Sequence, residues 1–412
     1  MADPSRYRVL VLNQIAASGL ARLPPELYEV GSSIDEPDAI LVRSADLHKS
    51  VVPASVKAIG RAGAGTNNIP VKAMSSRGVP VFNAPGANAN AVKELVLAGM
   101  LMAARNLQPA ARYVQSLDPT LPDLDRHVEE GKKQFGGTEL AGKTLGVIGL
   151  GRIGCLVADA AIRLGMQVSG FDPDITVEAA WSLPAQVQRA ASVADVIRRC
   201  DFVSVHVPLL EATRHLIGAR QLAQARSGAV LLNFSRDAVV DVQAVLAALE
   251  ARRLSCYVCD FPEPALIGHP RVVALPHLGA STQEAEENCA AMVADQLRDY
   301  LEHGNIRHSV NFPEAVAPRE SAYRVAIANA NVPNMLGQIS TSMAEAGLNI
   351  HTMLNKSRGE MAYTIVDVDS PVPLAVVRSI AAIDGVLAVR YLAARQPDAD
   401  RLAPLRSGSA AT

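Results

Sequence analysis

The stretch "LGVIGLGRIG", Leu145 to Gly154, constrains the fold more than any other part of this sequence. An apolar run typical of a buried strand leads into Gly149, Gly151 and Gly154, and a helical pattern follows. A strand, a glycine-rich turn and a helix in this order are typical of a dinucleotide-binding fold. Gly149 would allow the tight turn, Gly151 the approach of a pyrophosphate, and Gly154 close packing of the helix on the strand.

The next predicted strand ends at Asp172, eighteen residues after Gly154. A carboxylate at this position accepts hydrogen bonds from the hydroxyl groups of an adenosine ribose and repels a 2′-phosphate. The segment that follows, "FDPDIT", contains no arginine that would offset this repulsion. The sequence therefore predicts NAD rather than NADP as the cofactor.

A second glycine motif, "GTELAGKT" from Gly137 to Thr144, matches the phosphate-loop pattern. That loop binds phosphate when a strand precedes it and a helix follows it. Here a polar segment precedes the motif and a strand follows it, so we do not predict a nucleoside triphosphate site.

Short apolar runs alternate with helical patterns from Arg8 to Pro85 and again from Leu145 to His277. Continuous apolar strands separated by helices predict parallel sheets that are covered on both faces. The region from Ser321 to Leu392 instead follows a β-α-β-β-α-β order. We therefore predict an α/β protein with two doubly wound parallel-sheet domains and a smaller C-terminal α+β domain.

Composition excludes several classes of function. With 49% hydrophobic and 19% charged residues and a net charge of −2, the chain has no basic tract for nucleic acid or an anionic membrane. An odd number of cysteines, five, and the lack of an apolar N-terminal segment predict a cytoplasmic protein. Cys256 and Cys259 lie on a predicted strand, where they face opposite sides, so we interpret them as buried thiols and predict no metal site.

Ligands of a doubly wound sheet bind beyond the carboxyl ends of its strands. Polar residues follow the predicted strands of the larger sheet: Asp172, His206 with Pro208, Ser235 with Arg236, Asp260, and His277. The planar guanidinium of Arg236 suits a substrate carboxylate, and His277 suits acid–base chemistry on a hydroxyl group. Glu263, in "DFPEP", is the candidate acidic partner of His277.

Several segments occur in an order that resembles one enzyme family. They include "GRAGAGTNN", "VFNAPGANANAVKELV", "GKTLGVIGLGRIG", "LLNFSRDAVVD" and "PHLGASTQEAEEN". Over about residues 7–395 the chain resembles the D-isomer-specific 2-hydroxyacid dehydrogenases. The resemblance implies a flavodoxin-like substrate domain formed by residues 1–88 and 285–310, a Rossmann NAD domain at 89–284, and an ACT-like regulatory domain at 320–395. The polar residues 396–412 are predicted to form a disordered tail.

The resemblance also implies roles for individual residues. Arg236 and His277 take the catalytic positions, with Glu263 as the acidic partner. The NAD-contacting positions are Gly149, Gly151, Arg152, Ile153, Gly154, Asp172, His206, Val207, Pro208, Phe234, Ser235, Asp260, Gly279 and Ala280. The substrate positions are Arg43, Ser44, Gly63 and Asn88, and the positions for an L-serine effector held between two chains are Asn331 and Asn349.

Three positions depart from the family pattern. Glu263 follows Asp260 after three residues rather than five, Asp237 replaces the glycine beside the catalytic arginine, and Asn334 replaces a glycine after a proline.

The implied activity is NAD-dependent oxidation of 3-phospho-D-glycerate to 3-phosphohydroxypyruvate, the first step toward L-serine, by a homodimer or homotetramer. Other 2-hydroxy acids, such as 2-hydroxyglutarate or erythronate 4-phosphate, are alternative substrates. A module that senses NAD without turnover is an alternative of a different class.

Overall fold

The computed structural model of the protein describes residues 6–120 and 122–393. These residues form two compact units. The first ends at Ala87 and resumes at Glu286, and the second comprises Asn88–Ala285. The domain boundaries given above remain predictions, and the predicted tail at 396–412 lies outside the described residues.

The first unit contains a five-stranded sheet in the order β2-β1-β3-β4-β5, with every pair parallel. This is the strand order of flavodoxin-like folds. The strands are β1 (Tyr7–Leu12), β2 (Tyr28–Gly31), β3 (Ala39–Val42), β4 (Ala58–Arg61) and β5 (Val81–Phe82), with helices α1 (Ala17–Leu20) and α2 (Val71–Ser76) between them. All four residues of β3 are buried, as expected for a strand covered on both faces.

The second unit contains a seven-stranded parallel sheet in the order β12-β11-β10-β9-β6-β7-β8. Its strands are β6 (Thr144–Ile148), β7 (Gln167–Phe171), β8 (Gln188–Arg189), β9 (Phe202–Val205), β10 (Ala229–Asn233), β11 (Leu254–Cys259) and β12 (Val272–Ala274). Its helices are α3 (Ala89–Ala104), α4 (Leu107–Gln115), α5 (Leu124–Gly131), α6 (Arg152–Arg163), α7 (Val177–Ser182), α8 (Val193–Arg199), α9 (Ala219–Leu222) and α10 (Val242–Glu250). The strand order reverses between β6 and β9, which is where a Rossmann fold binds its dinucleotide.

The long helix α11 (Gln283–His303) precedes a four-stranded antiparallel sheet in the order β14-β15-β13-β16. This C-terminal sheet consists of β13 (Tyr323–Ala330), β14 (Ile350–Arg358), β15 (Met361–Val368) and β16 (Val386–Ala393), and its helices are α12 (Met335–Glu345) and α13 (Leu374–Ala381). The predicted fold class is therefore confirmed, with two parallel α/β sheets and a C-terminal α+β region. Among the described helices, none is long and apolar enough to span a membrane.

The C-terminal sheet buries apolar side chains on both faces. Ile327 belongs to the core formed with α12 and α13, whereas Tyr363 belongs to the core that contains Tyr300 of α11. Arg324, fully buried, forms an ion pair of 2.6 Å with Asp367 and donates to the carbonyl oxygen of the last residue of α11. The C-terminal sheet is therefore joined to α11 by packing and by buried polar contacts.

Candidate active site

The glycine turn after β6 has the conformation that dinucleotide binding requires. Gly149 has φ of 92°, and a Cβ atom there would lie 2.7 Å from the carbonyl oxygen of His206. A Cβ atom on Gly154 would overlap the carbonyl oxygen of Gly149, so glycine allows α6 to pack this closely. At Gly151, in contrast, a Cβ atom would meet no protein atom within 4 Å. The backbone at Gly151 is therefore open to a ligand.

Asp172 holds this turn through its carboxylate. One oxygen accepts a hydrogen bond of 2.8 Å from the backbone of Leu150, and the other accepts one of 2.9 Å from the backbone of Asp174. Since a carboxylate offers about four lone-pair positions, it retains about two for ribose hydroxyl groups. Its negative charge opposes a 2′-phosphate, in agreement with the predicted preference for NAD.

Two predicted catalytic residues, Arg236 and His277, and the predicted NAD contact Asp260 follow three neighbouring strands of the second sheet, at the carboxyl ends of these strands. Arg236 follows β10, Asp260 follows β11 and His277 follows β12. Because neighbouring strands lie about 4.8 Å apart, the chain segments that carry Arg236 and His277 are separated by about 10 Å. A small 2-hydroxy acid can therefore contact both side chains from a position above Asp260.

Asn233, at the end of β10, fixes the turn that carries Arg236. Its side chain is fully buried, and Oδ1 accepts hydrogen bonds from the backbone N–H and the hydroxyl group of Ser235, at 3.1 and 2.8 Å. Its Nδ2 donates to the carbonyl oxygen of Arg236 at 2.9 Å. Asn233 was not among the residues predicted from the sequence, although a lone amide in the apolar run "AVLLNF" was a usable signal.

Asp260 is the carboxylate whose charge interacts with His277. It is fully buried, and Oδ2 accepts a hydrogen bond of 3.1 Å from the backbone of Gly279. Burial raises the pKa of the Asp260 carboxyl, and the nearby imidazole of His277 is the largest opposing effect. The ring of His277 packs against that of Phe261, with 5.0 Å between their centroids. Both neighbours of His277 thus come from the short loop after β11.

Glu263 lies farther along the same loop and is exposed. Burial raises the pKa of Cys259, and the charge of Glu263 adds to this increase. Within residues 6–120 and 122–393, no ion pair joins Glu263 to His277. The role of Glu263 as the acidic partner therefore remains a prediction.

His206, after β9, is a neutral side chain at physiological pH because burial lowers its pKa to about 4. Its Nε2 atom lies 2.8 Å from the hydroxyl oxygen of Ser204. Its Nδ1 atom is buried and has no hydrogen-bond partner among the described residues. The next residue, Val207, lies against Gly149, so this segment borders the glycine turn.

These residues fit NAD on three observations. The Gly151 backbone is open, and the buried atoms Oδ1 of Asp260 and Nδ1 of His206 have no partner among the described residues. Buried polar atoms of this kind normally bind a partner, and a dinucleotide carries amide and hydroxyl groups that can supply it. The other predicted NAD positions are also placed in the second unit: Arg152 and Pro208 are exposed, Ile153 and Ala280 are half-buried, and Phe234, Ser235 and Gly279 are buried.

Of the predicted substrate residues of the first unit, Arg43 and Ser44 follow β3, and Gly63 follows β4. The side chain of Asn13, after β1, accepts hydrogen bonds from the backbones of Ser44 and Ala45. Arg43 forms an ion pair of 2.5 Å with Glu286. In a sheet of this strand order, β1 and β3 flank the topological switch point, which is the usual ligand site.

Arg61, at the end of β4, is a further cation at this edge that the sequence analysis missed. Its Nε atom donates to the carbonyl oxygen of Arg43 at 3.1 Å. The carbonyl oxygen of Arg61 accepts a hydrogen bond of 2.8 Å from Gly63, which itself accepts one of 3.0 Å from Ala84. The motif "GRAGAGTNN" contains Arg61, but only Gly63 of this motif was predicted as a substrate residue.

The last predicted substrate residue, Asn88, and the two predicted effector residues lie in other parts of the chain. Asn88 precedes α3 and its carbonyl oxygen accepts a hydrogen bond of 3.1 Å from Val92. Asn331 and Asn349 are exposed, and the side chain of Asn331 donates to the carbonyl oxygen of Gly359 at 3.0 Å. The assignment of these two asparagines to an effector remains a prediction.

Known proteins are similar to this chain in sequence and in fold. Residues 97–279 match the D-isomer specific 2-hydroxyacid dehydrogenase, NAD binding domain. The chain is 34% identical over 343 residues to the D-3-phosphoglycerate dehydrogenase of Haemophilus influenzae, covering 80% of this chain and 79% of that protein. It is 32% identical over 383 residues to the D-3-phosphoglycerate dehydrogenase of Escherichia coli K12, and the match covers 88% of this chain and 89% of that protein. This chain belongs to the D-isomer specific 2-hydroxyacid dehydrogenases.

A solved structure of an NAD+-bound 3-phosphoglycerate dehydrogenase from Entamoeba histolytica shares the fold. The TM-score is 0.57 at 23% identity, and the match covers 74% of this chain and 99% of that chain. Membership of the family confirms that the protein is an NAD-dependent oxidoreductase, as the glycine turn and Asp172 predicted.

Proposed function

We propose that this protein oxidises 3-phospho-D-glycerate to 3-phosphohydroxypyruvate with NAD, the first step toward L-serine. The observation that carries the proposal is the placement of Arg236 and His277 on either side of Asp260 at one sheet edge. The names of two relatives, which match four fifths or more of the chain, support the choice of substrate.

Three side chains of the second unit have roles in substrate binding and proton transfer in this proposal. Arg236 holds the substrate carboxylate with its planar guanidinium, in the position that Asn233 fixes. The imidazole of His277 accepts the proton of the C2 hydroxyl group and returns it in the reverse direction. The buried carboxylate of Asp260 stabilises the imidazolium that forms. Acceptance of the hydride from C2 is the chemistry that NAD would supply when bound beside His277 and Arg236.

The residues around the glycine turn would hold the cofactor. Asp172 binds the adenosine ribose, and Gly151 with the first turn of α6 receives the pyrophosphate. The open acceptor of Asp260 suits the carboxamide group of the nicotinamide, and neutral His206 offers Nδ1 to a polar group of the dinucleotide.

Finer features belong to the same proposal. We infer that the protein is a cytoplasmic homodimer or homotetramer that L-serine regulates through Asn331 and Asn349. The five cysteines, all free, support a reducing compartment, and the exposure of both asparagines leaves them accessible to a small effector. Light scattering of the purified protein, and initial rates with and without L-serine, test these points.

A panel of 2-oxo acids with NADH tests the substrate. We expect the highest kcat/KM for 3-phosphohydroxypyruvate, and lower values for 2-oxoglutarate, hydroxypyruvate and the 2-oxo acid derived from erythronate 4-phosphate. A higher value for one of the others would replace the proposed substrate. Binding of NADH without turnover of any acid would favour an NAD-sensing module instead.

A further inference from the structure

The anion-binding edge of the first sheet presents side chains rather than backbone groups. Asn13 accepts hydrogen bonds from the backbones of Ser44 and Ala45, and Asn68 donates to the carbonyl oxygens of Arg43 and Ala45, at 3.3 and 2.8 Å. These bonds fix the turn after β3 and use the N–H groups of Ser44 and Ala45. Side chains at this edge, among them the guanidinium groups of Arg43 and Arg61, are therefore the donors available to an anion.

The carboxylate of Glu286 already forms an ion pair with the guanidinium of Arg43 at this edge. Oε1 of Glu286, in the first turns of α11, lies 2.5 Å from Nη2 of Arg43. The exposed fractions of the two side chains are 40% and 35%, so solvent and solutes reach the pair. Among the described residues, no other carboxylate forms an ion pair with Arg43.

The buried thiol of Cys289 lies within the electrostatic range of all three charged groups. Burial raises its pKa, the guanidinium groups of Arg61 and Arg43 oppose this increase, and Glu286 adds to it. The two cations and the one carboxylate therefore act on the same point, one turn along α11 from Glu286.

We propose that Glu286 is a specificity-determining residue that competes with the distal anionic group of the substrate for Arg43. The proposal rests on the proposed function, in which that group is a phosphate. A phosphate that binds Arg43 must displace the carboxylate, and the displaced carboxylate then repels the dianion. Because a partly exposed ion pair is weak, the exchange is readily reversible and sets affinity rather than blocking the site. A 2-oxo acid without a phosphate does not need this exchange.

Two variants separate this competition from a general effect of charge. Glu286→Gln keeps the shape of the side chain and removes the competing charge. Glu284→Gln, in the exposed first turn of the same helix, removes an equal charge without the contact to Arg43. KM is measured for 3-phosphohydroxypyruvate and for hydroxypyruvate, which lacks the phosphate.

We expect Glu286→Gln to lower KM for 3-phosphohydroxypyruvate by about three- to tenfold and KM for hydroxypyruvate by less than about twofold. Glu284→Gln should leave the ratio of the two KM values unchanged. An increase in KM for the phosphorylated acid, or an equal change for both acids, would overturn the proposal.

A binding measurement keeps this test independent of the proposed function. If the wild-type protein does not reduce 3-phosphohydroxypyruvate, the proposed substrate is wrong. Competition at Arg43 is then judged by calorimetric titration with inorganic phosphate. Tighter binding by Glu286→Gln than by wild type supports the competition, whereas equal or weaker binding contradicts it.

Discussion

The side-chain amide of Asn233 donates a hydrogen bond of 2.9 Å to the carbonyl oxygen of Arg236, and its oxygen accepts two bonds from Ser235. A single buried side chain thus connects three points of the turn after β10. The turn is fixed from inside the sheet. The guanidinium of Arg236 donates from Nη1 to the carbonyl oxygen of Ser235 at 2.6 Å, and in the proposed function its remaining N–H groups bind the substrate carboxylate.

Asn233→Ala should therefore act on substrate turnover more than on cofactor binding. We expect kcat/KM for the 2-oxo acid to fall by about 10- to 100-fold, because a displacement of about 1 Å in a positioning group has effects of this size. KM for NADH should change by less than about threefold. Steady-state kinetics, with the concentration of each substrate varied in turn, compares the change in kcat/KM for the 2-oxo acid with the change in KM for NADH. Equal losses for both substrates would show that Asn233 supports the fold in general.

Substitutions at two glycines of the turn after β6 should have different effects, one on stability and the other on cofactor binding. Gly154→Ala places a methyl group on the carbonyl oxygen of Gly149, so we expect a lower melting temperature. Gly151→Ala meets no protein atom within 4 Å, so the melting temperature should change little. In the proposed function this methyl group enters the space that the pyrophosphate takes, so we expect the Kd for NADH to rise at least about tenfold. Normal NADH binding by Gly151→Ala would place the cofactor elsewhere.

Asp260 should reduce stability at neutral pH. Since burial raises its pKa above the ordinary value of 3.8, its contribution to stability is present below about pH 4 and is lost as the pH rises through the folded-state pKa. Asp260→Asn avoids this loss. We expect the variant to melt at a higher temperature than wild type at about pH 8 and by a smaller margin at about pH 5. Thermal unfolding of both proteins over this range checks the sign, and a margin that grows as the pH falls would contradict it.

Breaking the buried pair of Arg324 and Asp367 should destabilise the C-terminal sheet. Arg324→Met leaves the fully buried carboxylate without its cation, and we expect a loss of about 3–5 kcal/mol in the free energy of unfolding. Arg163→Met breaks an exposed ion pair with Asp159 and serves as the control, without a measurable change. Denaturant unfolding compares the two variants. Equal effects would show that burial of the Arg324 pair has no energetic consequence.

The sequence predicted those parts of the fold and site that depend on local order along the chain. Gly149, Gly151 and Gly154 stand between a strand and a helix, and Asp172 ends the next strand, so periodicity and turn chemistry were sufficient to find them. His277 and Arg236 could be paired from the sequence because parallel strands bring their carboxyl ends to one edge of a sheet.

Other contacts depend on tertiary packing and left no local signal. Arg43 and Glu286 are separated by 243 residues, and only the packing of α11 on the first sheet brings them together. The interaction of Asp260 with His277 follows from a short loop whose path periodicity does not specify. Asn233 is a different case, because its partners lie two and three residues along the chain and its lone amide in an apolar run was a usable local signal that was missed.

His277→Gln tests the proposed acid–base role of His277, because it removes the proton acceptor and keeps a side chain of similar shape. The single tryptophan, Trp181, lies in the NAD-binding unit, and quenching of its fluorescence reports the Kd for NADH independently of turnover. We expect kcat for 3-phosphohydroxypyruvate to fall by about 10²- to 10⁴-fold while the Kd for NADH stays within about twofold of wild type. A His277→Gln protein with wild-type kcat would show that His277 is not the proton acceptor.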